Sequence, residues 1–158
     1  MAASPCPFCQ KLAALNELPA DELVIELPHA VVLLGLWQAY HGYCIVVARR
    51  HCREIFELDP IERRSYFEEM CLAARAISEC FRPHKLNYEL LGNQVPHLHW
   101  HLFPRYEDDS EILKPVWLAI ERAEGDEKER ERLQPGRQPR AATAAQLRDR
   151  ILSLRQVS

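Results

Sequence analysis

Three of the seven histidines in this 158-residue chain stand at alternate positions in one short stretch. His97, His99 and His101 are separated by Leu98 and Trp100, so polar and apolar side chains alternate with a period of two. Alternate side chains of an extended strand lie on the same face of a sheet. The pattern therefore predicts a strand with three imidazoles on one face and apolar residues on the other.

Imidazole chemistry gives this face two possible functions. Three histidines can ligate one zinc ion and leave a position open for water, which would make a metal-dependent hydrolase. Alternatively, one imidazole acts as a nucleophile while its neighbours hold its tautomer and the charge of the substrate. The spacing alone does not decide between them. A plain strand whose histidines merely face water explains the pattern less well, because three imidazoles share the face.

Composition limits the class of protein. The chain length suits one domain with a single substantial core, and the apolar content of 47% and charged content of 27% are ordinary for a globular protein. A net charge of −3 argues against a surface for nucleic-acid polymers. No apolar run is long enough to cross a bilayer, and Met1–Pro5 lacks the features of a secretion signal. We expect a cytoplasmic protein without a membrane partner.

The N-terminal motif Cys6-Pro7-Phe8-Cys9 brings two thiols to a spacing that can grip one metal ion from a tight turn. Without a secretion signal, six cysteines are expected to be reduced thiols or metal ligands rather than a disulfide framework. A redox role would place the motif at the start of a helix after a strand, and no strand precedes it. The pair supplies two of the four ligands that a structural zinc requires.

Segments rich in valine, isoleucine and leucine predict four further strands. They are Glu22–Leu27, His29–Trp37, Tyr43–Ala48 and Lys85–Leu91. Between the third and fourth, Asp59 suits a helix N-cap, Pro60 its first turn and Pro83 its end. Together with the histidine strand, which Pro104 should stop, this predicts an α+β fold. It would be a meander of about five antiparallel strands with one long helix packed on it and helical elements at the C-terminus.

The composition changes after Pro104. Residues 121–140 carry dense mixed charge and two prolines, which predicts a solvated helix end followed by a linker. Thr143 and Gln146 form a capping-box pattern, which predicts a short helix from there to about Arg155. We therefore divide the chain into a core of residues 1–106 and a C-terminal helical extension of the same domain, residues 107–158.

The histidine stretch, with Gly92-Asn93-Gln94 before it, resembles the histidine-triad (HIT) family of nucleotide hydrolases and transferases, over about residues 5–106. Those proteins attack the α-phosphate of a nucleotide with the middle histidine, which corresponds to His99. The resemblance implies a nucleotidyl-His99 intermediate that water releases as a nucleoside monophosphate. It also implies that the backbone carbonyl of His97, which a kink of the strand at that point could supply, holds the proton of the His99 ring. His101 would donate to a phosphate oxygen or to the leaving group.

The same resemblance assigns substrate contacts and partners. Gln94 matches a residue that contacts the phosphate and leaving group, and Asn87 lies within one residue of an asparagine near the same phosphate. Gly92 allows close approach of a phosphate to the backbone, and Asn93 offers an amide donor, although a simple hairpin turn explains both equally well. The implied partner is a small nucleotide conjugate, of the diadenosine polyphosphate or nucleoside phosphoramidate type, and the implied assembly is a homodimer.

HIT proteins with a Cys-x-x-Cys motif at this place are known for a structural zinc. Its other ligands are a histidine after the third strand and the first histidine of the triad, which correspond to His51 and His97. The implied Cys₂His₂ site is therefore Cys6, Cys9, His51 and His97. Catalysis would then need no metal, and no organic cofactor is expected.

Two positions depart from the family pattern. Gly35 stands where the family has an acidic residue that holds the ribose hydroxyls, and Gly42-Tyr43 stands where it often has Gly-His. These departures leave the triad untouched. The missing carboxylate near Gly35 motivates a third hypothesis, in which the protein binds nucleotides but has lost turnover.

Overall fold

The structure is a computed structural model that describes residues 6–156; the segment Met1–Pro5, used above to judge secretion, lies outside them. The strands are β1 (Leu23–Glu26), β2 (Ala30–Leu34), β3 (Cys44–Ala48), β4 (Lys85–Glu89) and β5 (His99–Arg105). The helices are α1 (Pro7–Ala13), α2 (Pro60–Phe81), α3 (Val116–Gly125), α4 (Glu127–Leu133) and α5 (Arg140–Arg155). Among the described helices, none combines the length and apolar character needed to span a membrane.

The five strands form one antiparallel sheet in the order β1-β2-β3-β5-β4. The predicted α+β class and strand number are confirmed, but the order is not a simple meander. The chain leaves β3, runs through α2 and returns at the far edge as β4, and β5 then fills the gap. In the register, Val47 of β3 lies opposite His99 and Ile45 lies opposite His101. The histidine strand is therefore an interior strand.

Helices cover both faces of the sheet. On one face, α2 and α5 pack on the main core, which includes Val46, Tyr66, Ile77 and Leu147. On the other face, α1 packs over Val31, Leu33 and Val47, while α3 and α4 pack over Tyr43 and Phe103. Because β2 is buried along its whole length, it reads as a continuous apolar run rather than an alternating one. The histidines of β5 share the face covered by α1 and α3.

Helix α2 has the predicted boundaries. The Asp59 side chain accepts hydrogen bonds from the backbone N–H groups of Ile61 and Glu62, at 2.9 and 3.0 Å, and so caps the first turn. Arg82 ends the helix in the left-handed region, with a φ of 49°, immediately before Pro83. These signals are local in sequence, and the structure follows them.

The bounds of the histidine strand differ from the prediction. His97 lies before the strand, in a turn where its N–H donates to the carbonyl of Val95. The strand then runs through Pro104 to Arg105 instead of stopping at the proline. Pairing with β3 ends at Leu102, so Pro104 has a neighbour on one side only and its missing N–H is tolerated there.

The C-terminal extension is more ordered than its charge suggests. Residues 121–140, predicted as a helix end and linker, contain the end of α3 and all of α4. The buried Leu133 and the capping carboxylate of Asp126 explain this helix. The capping-box prediction is wrong: α5 begins at Arg140, and the Thr143 hydroxyl donates inside the helix to the carbonyl of Pro139 at 3.3 Å. Since α5 packs on the main core, we propose that residues 107–158 fold together with residues 1–106.

Candidate functional site

A cavity of 570 Å³ opens over β5, between α1 and α3. His99 and His101 form part of its floor, and the loop Gly92-Asn93-Gln94 forms one side. Its volume lies within the range of about 300–1,000 Å³ found for small-molecule sites. The structure therefore brings the second and third histidines together with three of the four predicted substrate contacts.

Hydrogen bonds fix the His99 ring. Its Nδ1 lies 2.5 Å from the backbone carbonyl oxygen of His97, and its Nε2 lies 3.0 Å from Nε2 of His101. A carbonyl oxygen can only accept, so Nδ1 of His99 carries the proton. In the neutral ring Nε2 then holds a lone pair, which lies towards Nε2 of His101 at the floor of the cavity. This is the tautomer that a histidine nucleophile requires.

Burial keeps both imidazoles neutral. Desolvation lowers the pKa of His99 below its usual value. The same effect, with a smaller contribution from His99, lowers the pKa of His101 to about 3. Near neutral pH both rings are therefore uncharged, and Nε2 of His99 keeps its lone pair.

The loop before the triad can let a phosphate approach its backbone closely. Gly92 adopts a φ of 75°, in the left-handed region that favours glycine, and Asn93 and Gln94 follow it along the cavity wall. Their amide groups can donate to phosphate oxygens.

Asn87 lies elsewhere. It pairs with Phe103, two residues along β5 from His101, and its side-chain oxygen accepts from Nη1 of Arg105 at 3.3 Å. The position opposite His101 belongs to Glu89. The predicted substrate contact at Asn87 is therefore separated from the cavity that holds the triad.

Two aromatic residues outside the motif complete the cavity. The Phe8 ring, carried by α1, lies 4.8 Å from the His99 ring, and the Trp117 ring, carried by α3, lies 5.0 Å from the His101 ring. Nε1 of Trp117 donates to the carboxylate of Glu89. Sequence reasoning missed their place in the site, because nothing local says which apolar residues cover a distant strand.

A second cavity of 280 Å³ adjoins the first and shares Phe8, Leu36 and Ile45 with it. Its walls include Gly35 and the carboxylate of Glu22, which is paired with Lys11. The two cavities together make a groove that runs from the triad on β5, past Ile45 of β3, towards Gly35 after β2. Among the described residues, every charged side chain near the Gly35 end of this groove belongs to another part of the chain.

Cys6, Cys9, His51 and His97 form a compact cluster whose four candidate ligand atoms lie within 4.8 Å of one another. Nδ1 of His97 lies 3.4 Å from Sγ of Cys6 and 3.2 Å from Nδ1 of His51. Sγ of Cys9 lies 3.3 Å from Nδ1 of His51. A tetrahedral zinc with ordinary bonds to nitrogen and sulfur separates its ligand atoms by about 3.3–3.8 Å. The cluster fits such an ion, although the motif opens α1 rather than forming the expected tight turn.

The His97 ring is oriented for this cluster. Its Nε2 donates to the carbonyl oxygen of Ala48 at 2.8 Å, which leaves Nδ1 as the ligand atom. Both ring nitrogens are thereby turned away from His99 and His101. A catalytic metal shared by all three histidines does not fit this geometry.

Comparison with known proteins shows the family of the chain. A family model of the HIT domain matches residues 17–108. The chain is 31% identical over 109 residues to Protein hit of Bacillus subtilis, an alignment that covers 66% of this chain and 73% of that protein. It is 26% identical over 113 residues to an uncharacterized HIT-like protein of Methanocaldococcus jannaschii, covering 69% and 85% of the two chains.

Solved structures are similar as well. A histidine triad protein from Marinobacter aquaeolei matches with a TM-score of 0.64 and 28% identity, over 88% of this chain and 95% of that one. A zinc-bound histidine triad family protein from Mycobacterium smegmatis matches with a TM-score of 0.65 over 98% of both chains, and at 19% identity it supports the fold alone. On the family match and the arrangement of its histidines, the chain belongs to the HIT domain family.

Proposed function

We propose that the protein is a nucleotide hydrolase or transferase in which His99 attacks the α-phosphate of a nucleotide conjugate. The observation that carries this proposal is the 2.5 Å hydrogen bond from Nδ1 of His99 to the carbonyl of His97. It leaves a lone pair on Nε2 of a residue that lines a cavity of suitable size.

The reaction would take two displacements at phosphorus. Nε2 of His99 forms a bond to phosphorus, and the leaving atom departs with the electron pair of the bond that breaks. That atom takes a proton from solvent and accepts a hydrogen bond from Nε2–H of His101, which in the free protein faces Nε2 of His99, while Asn93 and Gln94 donate to the phosphate oxygens. Water then attacks phosphorus and gives up a proton to solvent, the bond from phosphorus to Nε2 breaks with its electron pair returning to His99, and the nucleoside monophosphate is released.

The charge of the cavity bears on the leaving group. Among the described residues that line the triad cavity, none is a lysine or arginine, and its charged side chains are Glu121 and Glu124 of α3. A polyphosphate leaving group would bring several negative charges towards these carboxylates. The cations of the adjoining cavity, Lys11 and Arg140, are already paired with Glu22 and Asp21. We therefore propose a conjugate with one phosphate, of the nucleoside phosphoramidate type, ahead of a diadenosine polyphosphate.

Turnover of a small substrate panel tests the proposal. We expect kcat/KM for an adenosine phosphoramidate to exceed that for diadenosine tetraphosphate by at least about tenfold, since each uncompensated like-charge contact opposes binding. Peptide mass spectrometry after an alkaline quench should locate an acid-labile nucleotidyl group on His99. Tight binding of adenosine monophosphate without turnover of any substrate would instead favour the non-catalytic hypothesis that Gly35 motivates.

We further propose that Cys6, Cys9, His51 and His97 hold a structural zinc. The cluster geometry and the hydrogen bond from Nε2 of His97 to the carbonyl of Ala48 support it. The ion would tie α1 to the turn before β5. It would supply no chemistry to the reaction itself, and it would fix the residue whose carbonyl orients His99.

A homodimer is proposed from the surface formed by Phe67, Cys71, Tyr88 and Trp100, called here the α2–β4 surface. Phe67 and Tyr88 are 45% and 46% exposed, beside the open edge of β4. Nε1 of Trp100 is buried and has no hydrogen-bond partner within residues 6–156. An exposed apolar patch with an orphaned donor next to an unpaired strand is typical of an interface.

Replacing Tyr88 with glutamate should weaken this dimer. A carboxylate in the centre of an apolar interface is left without a partner, so the dimer dissociation constant should rise by at least about tenfold. Sedimentation velocity over a concentration series measures it. Leu113→Glu is the matched control, because Leu113 is 97% exposed outside the α2–β4 surface. Equal sedimentation of Tyr88→Glu and the unaltered protein would place the interface elsewhere.

A further inference from the structure

The two positions that depart from the family pattern touch each other. A Cβ atom built on Gly35 would lie 2.1 Å from Cε1 of the Tyr43 ring, closer than any real contact. The tyrosine ring therefore occupies the space that a side chain at position 35 would need. Gly35 and Tyr43 form one unit, in which the glycine makes room for the ring.

Packing holds the Tyr43 ring in one orientation. The residue is 3% exposed, and its ring stacks on Phe103 with centroids 3.9 Å apart and an interplanar angle of 12°. In this orientation the hydroxyl lies 2.7 Å from Nδ1 of His101. Both partners of this hydrogen bond are buried.

The direction of the hydrogen bond follows from its neighbours. Nδ1 of His99 carries a proton because it faces the carbonyl of His97, so Nε2 of His99 accepts. Nε2 of His101, 3.0 Å away, must then be the donor. A neutral His101 is left with a lone pair on Nδ1, and the Tyr43 hydroxyl donates to it. Burial holds the pKa of the Tyr43 phenol well above its usual value, so the hydroxyl keeps its proton.

We propose that Tyr43 is a positioning residue that fixes the tautomer of His101, so that the N–H of His101 points at His99 and the substrate. Without the hydroxyl, the proton of His101 can move to Nδ1. Two lone pairs would then face each other across the 3.0 Å between His99 and His101, and the leaving group would lose its donor. The effect on catalysis rests on the proposed function, whereas the tautomer does not.

Nitrogen NMR of the histidine rings tests the tautomer directly. In the unaltered protein, ¹⁵N spectra should show His101 protonated at Nε2 and unprotonated at Nδ1. In Tyr43→Phe, which keeps the ring and its stacking, the His101 signals should shift towards a mixture of the two tautomers. Tyr40→Phe is the matched control, because Tyr40 also packs on Phe103 but lines neither the triad cavity nor its neighbour.

Kinetics give the second readout. Loss of a hydrogen bond between neutral groups that acts in the transition state should lower kcat by about tenfold, while KM stays within about twofold. Tyr40→Phe should leave both values unchanged. A rise in KM alone, or a lower melting temperature with unchanged His101 signals, would mean that Tyr43 only packs.

Gly35→Ala should also release His101 from the Tyr43 hydroxyl, without removing that hydroxyl. The added methyl group would displace the tyrosine ring, so His101 should show the same mixed tautomers with Tyr43 still present. If Tyr43→Phe and Gly35→Ala both leave His101 in the Nε2–H form, the proposal is wrong. If the unaltered protein hydrolyses no nucleotide conjugate, the proposed function fails, and the NMR result still decides the role of Tyr43.

Discussion

Hydrolysis of every nucleotide conjugate should fall by at least about a thousandfold when His99 is replaced with alanine, because the reaction loses the atom that attacks phosphorus. No neighbouring group can replace it. His101 presents an N–H towards the cavity, and both ring nitrogens of His97 are engaged elsewhere. Initial rates under single-turnover conditions measure the chemical step. The nucleotidyl adduct should disappear together with the rate.

The controls for this substitution separate chemistry from folding. His84→Ala removes an exposed histidine beside Glu107 and should keep full activity. His99→Ala should keep its zinc, since His99 is not a member of the metal cluster. His101→Ala should be impaired less than His99→Ala, because a donor is easier to replace by water than a nucleophile. Hydrolysis by His99→Ala at more than a tenth of the original rate would contradict the proposed mechanism.

Local signals predicted much of this fold. The capping carboxylate of Asp59 and the proline after the helix bound α2 through contacts only two or three residues away in sequence. The apolar runs of β2 and β3 likewise predicted buried strands from residues that are neighbours in sequence. Such elements need no knowledge of the rest of the chain.

Other features depend on contacts that no local pattern contains. The alternating histidines predicted one continuous strand, but His97 turns out of it because its ring contacts Cys6, ninety-one residues away. The contact between Gly35 and Tyr43 depends on how β2 and β3 pair. Trp117 reaches His101 only because α3 folds back over the sheet. The sequence therefore did not show which apolar residues cover the triad, whereas the residues of the motif are neighbours in sequence and lie together in the structure.

His97 links the metal cluster to the nucleophile through one residue. Its side chain points into the cluster, while its backbone carbonyl accepts the proton of the His99 ring. The turn at His97 makes both contacts possible, which a regular strand would not. A disturbance at the cluster should therefore reach the nucleophile through the backbone of His97.

Replacing Cys6 and Cys9 with serine should remove the zinc and reduce both stability and rate. We expect bound zinc to fall from about one ion per chain to a small fraction, since two of four ligands are lost. Losing a structural ion should lower the free energy of unfolding by a few kcal/mol, and the melting temperature by about 10 °C for a chain of this length. A shift of the His97 carbonyl should lower kcat by about tenfold to a hundredfold, because nucleophiles tolerate little misplacement.

Elemental analysis, thermal melting and single-turnover rates measure the three effects on the same sample. Cys80→Ser is the matched control: Cys80 lies on α2, outside the cluster, and a serine can keep its weak hydrogen bond to the carbonyl of Gln146. It should change none of the three quantities. Full zinc retention by the double serine variant would show that other residues ligate the metal. Loss of zinc and of melting temperature with an unchanged rate would show that the carbonyl of His97 holds His99 without help from the ion.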